Sequence, residues 1–187
     1  MLAALAVLLP GSAQAHAVSS SLGDFYGGGL HLLGSPEHLL TVLGLGMLLG
    51  ASRREIAREP LLLPALPLAL AAGAASAGLA PAAAWTDTLS LLLLGGALAA
   101  STRPPRPVLA VAVALLGIAC GLANGAAMTP TTDRLLFAPG VSIAGFLVSF
   151  HGMLLARAAR PFWARVAVRV AGSWIAATGI LVLGMHR

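Results

Sequence analysis

The chain has 187 residues, of which 58% are hydrophobic and only 9% are charged, and its formal net charge is +5. Soluble domains carry about 25% charged residues, so this chain cannot cover a water-facing surface and is predicted to be an all-α membrane protein in a lipid bilayer. All eleven basic residues are arginines in short clusters between apolar runs, a pattern that argues against nucleic acid as a partner.

The first fifteen residues have the pattern of a secretory signal peptide. A short apolar stretch is followed by a Pro-Gly break and by a small-x-small ending at 13–15. The stretch is shorter than the roughly 20 residues that a membrane span needs. We therefore expect cleavage before His16, which leaves residues 16–187 as a single six-helix transmembrane domain. An uncleaved apolar anchor is the alternative.

Six apolar segments follow, and most have close to the roughly 20 residues that cross the hydrocarbon core as a helix. We therefore predict a compact bundle of six transmembrane helices. The expected bounds are 36–52, 61–80, 84–101, 107–127, 136–157 and 164–184. Because the first segment is short, we expect Gly28 to Leu33 to add membrane-embedded or interfacial backbone before it.

The arginines predict the orientation of these segments. If the mature amino terminus is periplasmic, nine of the eleven arginines fall at the cytoplasmic side, and only Arg134 and Arg187 remain outside. Short cytoplasmic loops of membrane proteins carry an excess of basic residues. The protein is therefore expected in the bacterial inner (cytoplasmic) membrane, with both termini periplasmic.

Small residues at about one-turn spacing form stripes on the fourth and fifth segments. In lipid, such residues let helix backbones approach closely. We interpret both stripes as packing faces. They consist of Gly117, Gly121 and Gly125, and of Ser142, Gly145, Ser149 and Gly152.

The best candidate for chemistry is the cluster His31, Glu37 and His38 at the outer end of the first segment. A serine followed by Pro36 predicts an N-cap and a first helical position, so Glu37 and His38 fall in the first helical turn. Gly34 lets the chain turn, which can bring His31 back over the helix start. The trio is therefore expected to lie together at the membrane boundary.

The start of a helix suits both members of the acid–histidine pair. The helix dipole favours the carboxylate of Glu37 and disfavours protonation of His38, and a metal needs a neutral imidazole. Two imidazoles and one carboxylate suit divalent ions such as Ni²⁺, Zn²⁺ or Co²⁺. The alternative is that Glu37 only serves the helix end and that the histidines are inert interfacial residues.

Other polar residues allow two interpretations each. His151, in the inner half of the fifth segment, could be a second metal station on an inward path or a hydrogen-bonded packing residue. His16 with a free α-amine would chelate Ni²⁺ or Cu²⁺, or would do nothing. Cys120 and Asn124 could line the path, but we favour a buried thiol and an interhelical hydrogen bond. Asp87 lies in a short outer loop and could equally be a turn residue.

A motif pattern runs through residues 24–46. It consists of Asp24-Phe25-Tyr26, His31, Glu37-His38 and Leu43-Gly44-Leu45-Gly46. This pattern resembles the HupE/UreJ family of small bacterial membrane proteins, which have a signal peptide and six predicted helices. The family's first motif, a histidine, five residues and an Asp-His pair, maps onto His31, Glu37 and His38, with Glu for the usual Asp. Its second motif begins like Phe150-His151-Gly152, but the later ligands are absent here.

The resemblance implies a nickel permease or a nickel-supply accessory of hydrogenase or urease systems. As a secondary permease the chain would capture Ni²⁺, or another divalent ion, at His31, Glu37 and His38 and pass it by His151. ATP is not expected to drive it, because the sequence has no phosphate-binding loop. The alternative is a non-transporting accessory subunit that holds metal or anchors a partner metalloenzyme. We do not expect an enzyme, although a haem held by His38 and His151 is a third hypothesis.

Overall fold

The computed structural model describes residues 23–52, 62–78 and 85–185. The predicted signal peptide and His16 lie outside these ranges. The described residues form seven helices: α1 Asp24–Gly34, α2 Pro36–Ala51, α3 Leu62–Ala75, α4 Thr86–Ala99, α5 Arg106–Gly125, α6 Arg134–Ala158 and α7 Phe162–Met185. Each of the six predicted apolar segments corresponds to one helix, α2 to α7, and α5, α6 and α7 extend one or two residues beyond the predicted bounds. The extra backbone expected before the first segment is α1.

The helices differ in whether each could cross a membrane alone. By length and composition, α5, α6 and α7 each qualify. The pair α1 and α2 qualifies together, although the two helices are bent by 81° at the break between them. Shorter apolar helices occupy Ala65–Ala75 and Thr86–Ala99. The prediction of an all-helical fold is therefore confirmed for the described residues, three to four of whose spans are long and apolar enough to cross a membrane.

The bend between α1 and α2 lies at Ser35. This residue has an extended backbone, with φ −98° and ψ 101°, and it is the N-cap of α2, with Pro36 in the first turn. Proline suits that position because its ring fixes φ near the helical value and its missing N–H would be unpaired there anyway. The predicted helix start is confirmed. As a result, α1 packs against α6 and lies across the beginning of α2.

Glycines let the helices pack with their backbones in contact. A Cβ at Gly46 of α2 would overlap a carbonyl oxygen of α6, and a Cβ at Gly121 of α5 would overlap one of α3. Helices α4 and α7 meet in the same way at Gly95. The Ser142 hydroxyl of α6 also donates to the Pro67 carbonyl of α3 at 3.0 Å. The stripes on α5 and α6 are therefore packing faces, as predicted.

The central helix is α2, which contacts α1, α4, α5, α6 and α7. Helices α2 and α4 run side by side in the same direction: His38 and Asp87 face each other near their starts, and Ala51 and Leu98 line one cavity near their ends. We call the first of these poles the histidine end and the second the arginine end. The arginine end carries Arg103, Arg106, Arg157, Arg160, Arg165 and Arg169.

The end of α4 contains a backbone conformation that is unusual for its residue. Ser101 has φ 55°. Its amide donates to the Leu98 carbonyl at 3.0 Å, and the Thr102 amide donates to the Ala97 carbonyl at 2.9 Å. This is the helix-terminating hydrogen-bond pattern in which glycine usually occupies the left-handed position.

Replacing Ser101 by glycine should stabilise the protein. A left-handed backbone is strained by a Cβ, so Ser101→Gly should raise the free energy of unfolding by about 0.5 to 1 kcal/mol. Thermal unfolding of the detergent-solubilised protein measures the change. Ser173→Gly, inside α7, is the matched control and should lower stability, because glycine weakens a helix interior. An unchanged or lower melting temperature for Ser101→Gly would contradict the expectation.

Candidate functional site

Polar side chains from three helices meet at the histidine end. His31 comes from α1, Glu37 and His38 from the first turn of α2, and Asp87 from the first turn of α4. Because α1 is bent back over the start of α2, the ring centroids of His31 and His38 lie 6.2 Å apart, with the rings tilted by 55°. The predicted approach of His31 to the helix start is confirmed.

His38 is the buried member of this cluster, with 5% of its surface exposed. Its Nε2 lies 3.7 Å from Oδ2 of Asp87, which is within ion-pair range but too long for a hydrogen bond. The Asp87 side chain is 27% exposed, so the pair is accessible from the protein surface on the Asp87 side. Both residues stand at helix starts, where the dipole stabilises the Asp87 carboxylate.

The spacing of His38 and Asp87 is compatible with a shared metal ion. First-row ions bind N and O ligands at about 2.0 to 2.2 Å, which puts two ligand atoms of a tetrahedral centre about 3.4 Å apart. The distance of 3.7 Å between His38 and Asp87 is close to this value. For the same tetrahedral centre, the centroids of two imidazoles on one ion would lie about 5.3 Å apart. The 6.2 Å between His31 and His38 is longer than this, so His31 does not share that ion in the position it has here.

The site is nevertheless not a finished coordination sphere. In the described part of the chain, no three His, Cys, Asp or Glu side chains are arranged to hold one ion together. His38 and Asp87 therefore form a two-ligand seat. The ring of the half-buried His31 lies beside this seat.

Cys120 and Asn124 of α5 belong to the same part of the bundle. The carboxyl groups of Asp87 and the half-buried Glu37 both lie near enough to the buried Cys120 thiol of α5 for their charges to act on it. The Asn124 amide donates to the Cys120 carbonyl at 2.8 Å and to its Sγ at 3.5 Å. The predicted hydrogen bond of Asn124 therefore lies within α5, and its interhelical assignment is wrong, because one helical turn already brings the amide to that carbonyl.

Unpaired polar atoms accumulate inside this end of the bundle. Among the described residues, four buried side-chain atoms have no hydrogen-bond partner: His38 Nδ1, Thr41 Oγ1, Thr88 Oγ1 and Asn124 Oδ1. A buried polar group without a partner costs about 1 to 3 kcal/mol. Thr41 follows His38 by one helical turn, and Thr88 follows Asp87 directly. These atoms therefore lie in the same part of the bundle as the His38–Asp87 pair.

The structure does not bring His151 to this cluster. Its side chain is exposed on α6, and its Nδ1–H donates to the Leu147 carbonyl at 2.6 Å. An inward path past His151 thus has no support from its position. The interior polar groups on α2, α4 and α5 are the ones a path could use instead.

Asp87 is more than the turn residue that the sequence equally allows. It stands in the first turn of α4 and faces His38. The available signal was its position at the start of an apolar segment, the same feature that singled out Glu37.

These observations define a class of protein: a helical membrane protein with a histidine–carboxylate cluster at one end of its bundle. The family model described as HupE / UreJ protein matches residues 3–182. The chain belongs to the HupE/UreJ family, as the pattern in residues 24–46 predicts. Membership implies nickel or cobalt transport, or an accessory role for urease or hydrogenase. No curated protein and no solved structure matches the chain.

Proposed function

We propose that this protein is a secondary, non-ATP-driven uptake protein for a divalent transition-metal ion, with Ni²⁺ as its preferred cargo. The observation that carries the proposal is the buried His38 with Asp87 at 3.7 Å and the His31 ring beside it. Imidazole and carboxylate ligands suit first-row divalent ions. Ionisable groups are costly at membrane depth, and in membrane proteins they commonly mark ion pathways.

The proposed arrangement has six crossings, made by α2 to α7, with α1 resting at the outer end. The arginine end faces the cytoplasm, because basic residues concentrate on that side of membrane proteins. The histidine end then faces the periplasm, where the ion arrives. His31 and Glu37 lie beside the His38–Asp87 pair, and the arriving ion contacts them together with His38. His16, at the mature amino terminus, could deliver metal to them.

The unpaired polar atoms mark only the outer part of the proposed inward route. From the pair, the ion first meets the Thr41 and Thr88 hydroxyls and Asn124, all at the histidine end, because α5 begins at the arginine end and Asn124 lies next to its last residue. All three side chains are buried and carry an oxygen without a partner among the described residues. Oxygen ligands of this kind bind transition metals weakly, which suits passage rather than storage.

Metal binding by the purified protein tests the capture step. Isothermal titration with Ni²⁺ should show no measurable binding to the His31→Ala/His38→Ala double variant. Asp87→Asn keeps the side-chain shape but removes the charge, and it should weaken binding by about tenfold or more, equivalent to about 1.4 kcal/mol. His151→Ala is the matched control and should bind as the wild type does. Wild-type affinity in Asp87→Asn would remove Asp87 from the site.

The accessory hypothesis uses the same cluster without transport. It is favoured by the incomplete ligand set in the described residues, since a partner metalloenzyme or its maturation system could supply the missing ligand. Nickel flux into proteoliposomes that disappears in His38→Ala supports the permease. Binding without flux, together with copurification of a hydrogenase or urease component, supports the accessory subunit.

A further inference from the structure

A second candidate site lies at the arginine end, opposite the His38–Asp87 pair. A cavity of about 80 Å³ opens there between the ends of α2, α4 and α6 and the start of α7. Its charged lining residues are Arg103, Arg165 and Arg169, and no acidic side chain is among the described residues that line it. Three cations around one cavity, with no acidic neighbour among the described lining residues, favour an anion there.

The cavity contains features suited to a phosphate group. The Arg169 Nε donates to the Ala99 carbonyl at 3.0 Å, which fixes the guanidinium at the cavity wall without using its terminal amino groups. Guanidinium groups bind phosphate oxygens through paired N–H donors. Ser101, the residue held in the left-handed conformation, adds a hydroxyl at the same cavity, whereas the Thr102 hydroxyl donates to the Ala97 carbonyl at 3.0 Å.

An apolar groove adjoins the cavity and shares Ala159 and Val168 with it. The groove has a volume of about 340 Å³ and is otherwise lined by Met47, Leu155, Ala158, Trp163, Ala164 and Ala167. Trp163 is 72% exposed, as is common for an indole at a membrane–water interface. A ligand that fills both spaces must therefore combine an anionic group with an apolar chain.

We propose that the cavity and the groove together bind one anionic phospholipid from the surrounding leaflet. Its phosphate lies among Arg103, Arg165 and Arg169, and one acyl chain lies along the groove beside Trp163. Charge complementarity selects the headgroup, and the continuous apolar surface selects a lipid over a free phosphate. Basic pockets between transmembrane helices bind anionic headgroups in the same way. The lipid would join the ends of α2, α4 and α6 to the start of α7.

Quenching of Trp163 by brominated lipid tests the proposal. The protein carries Trp85→Phe and Trp174→Phe, so that Trp163 is the only tryptophan, and it is placed in phosphatidylcholine vesicles. Dibrominated phosphatidylglycerol should reach half-maximal quenching at a mole fraction about tenfold lower than dibrominated phosphatidylcholine does. This preference for the anionic lipid is the quantity to compare among variants.

A matched pair of double variants separates the site from general surface charge. Arg103→Gln/Arg165→Gln should lose the preference, whereas Arg106→Gln/Arg160→Gln, which removes the same charge outside the cavity, should keep it. Arg103→Lys/Arg165→Lys should keep part of it, provided that circular dichroism shows native helix content in each variant. No preference in the parent, or equal loss in both Gln variants, would overturn the proposal. If inorganic phosphate stabilises the protein while quenching shows no preference for the anionic lipid, the cavity binds a free anion. That result would also overturn the proposal.

Discussion

Cells that depend on this protein for nickel should lose nickel accumulation when His38 is replaced by alanine. The His38 imidazole is 5% exposed, and its Nε2 is the nitrogen that faces the Asp87 carboxylate at 3.7 Å. Without it, the seat retains one protein ligand, and even the loss of a group that only orients a ligand costs about 10- to 100-fold in metal affinity. Uptake of radioactive nickel should fall to the level of cells that lack the protein. An immunoblot of the membrane fraction confirms that the variant is present.

His151→Ala is the control for this experiment. It removes the same chemical group, but from an exposed position on α6 where the imidazole contacts the Leu147 carbonyl. Uptake in this variant should equal that of the wild type. Normal nickel accumulation in His38→Ala cells, with the protein in the membrane, would refute the uptake proposal. If His38→Ala cells lose cobalt uptake but keep nickel uptake, the cargo is cobalt and not nickel.

Gly46→Ala should leave little folded protein. The added Cβ would overlap the Ser149 carbonyl oxygen of α6, and backbone atoms in a helix cannot move aside as a flexible side chain can. Forcing an extra carbon into a packed interior costs about 1 to 3 kcal/mol, and a backbone contact puts this site at the upper end or beyond. The melting temperature in detergent should therefore fall sharply, and so should the amount of protein recovered from size-exclusion chromatography.

Gly44→Ala, two residues earlier in α2, is the matched control. A Cβ at Gly44 would lie 3.5 Å from Cδ1 of Ile175 and 3.5 Å from Cβ of Leu94, which are ordinary contacts. Alanine also favours the helix, so stability should change by less than about 1 kcal/mol. Equal stability of the two variants would show that α2 and α6 do not approach at Gly46.

Much of the fold follows from features that are local in the sequence. The apolar segments have helical length, and the serine before Pro36 gives the start of α2. Small residues repeat at one-turn spacing where backbones touch. Each of these signals lies within one segment, which is why α2 to α7 and the packing stripes could be predicted.

The parts that could not be predicted depend on which helices are neighbours. The sequence places Asp87 and His38 near the same membrane boundary, but only the parallel packing of α2 and α4 makes them partners. The exposed position of His151 on α6 could not be predicted either. Helix α6 has apolar residues on all sides, so the usual contrast between a polar and an apolar face was missing.

The helix starts around His38 and Asp87 also affect how tightly an ion can be held. Each helix start carries a partial charge of about +0.5, so α2 and α4 together place about one positive charge next to the pair. The carboxylates of Glu37 and Asp87 supply two negative charges, and the net attraction for a divalent ion is reduced to about one charge. Under the proposed function, such a site would load and unload readily, so its occupancy should follow the metal concentration in the solution that it faces.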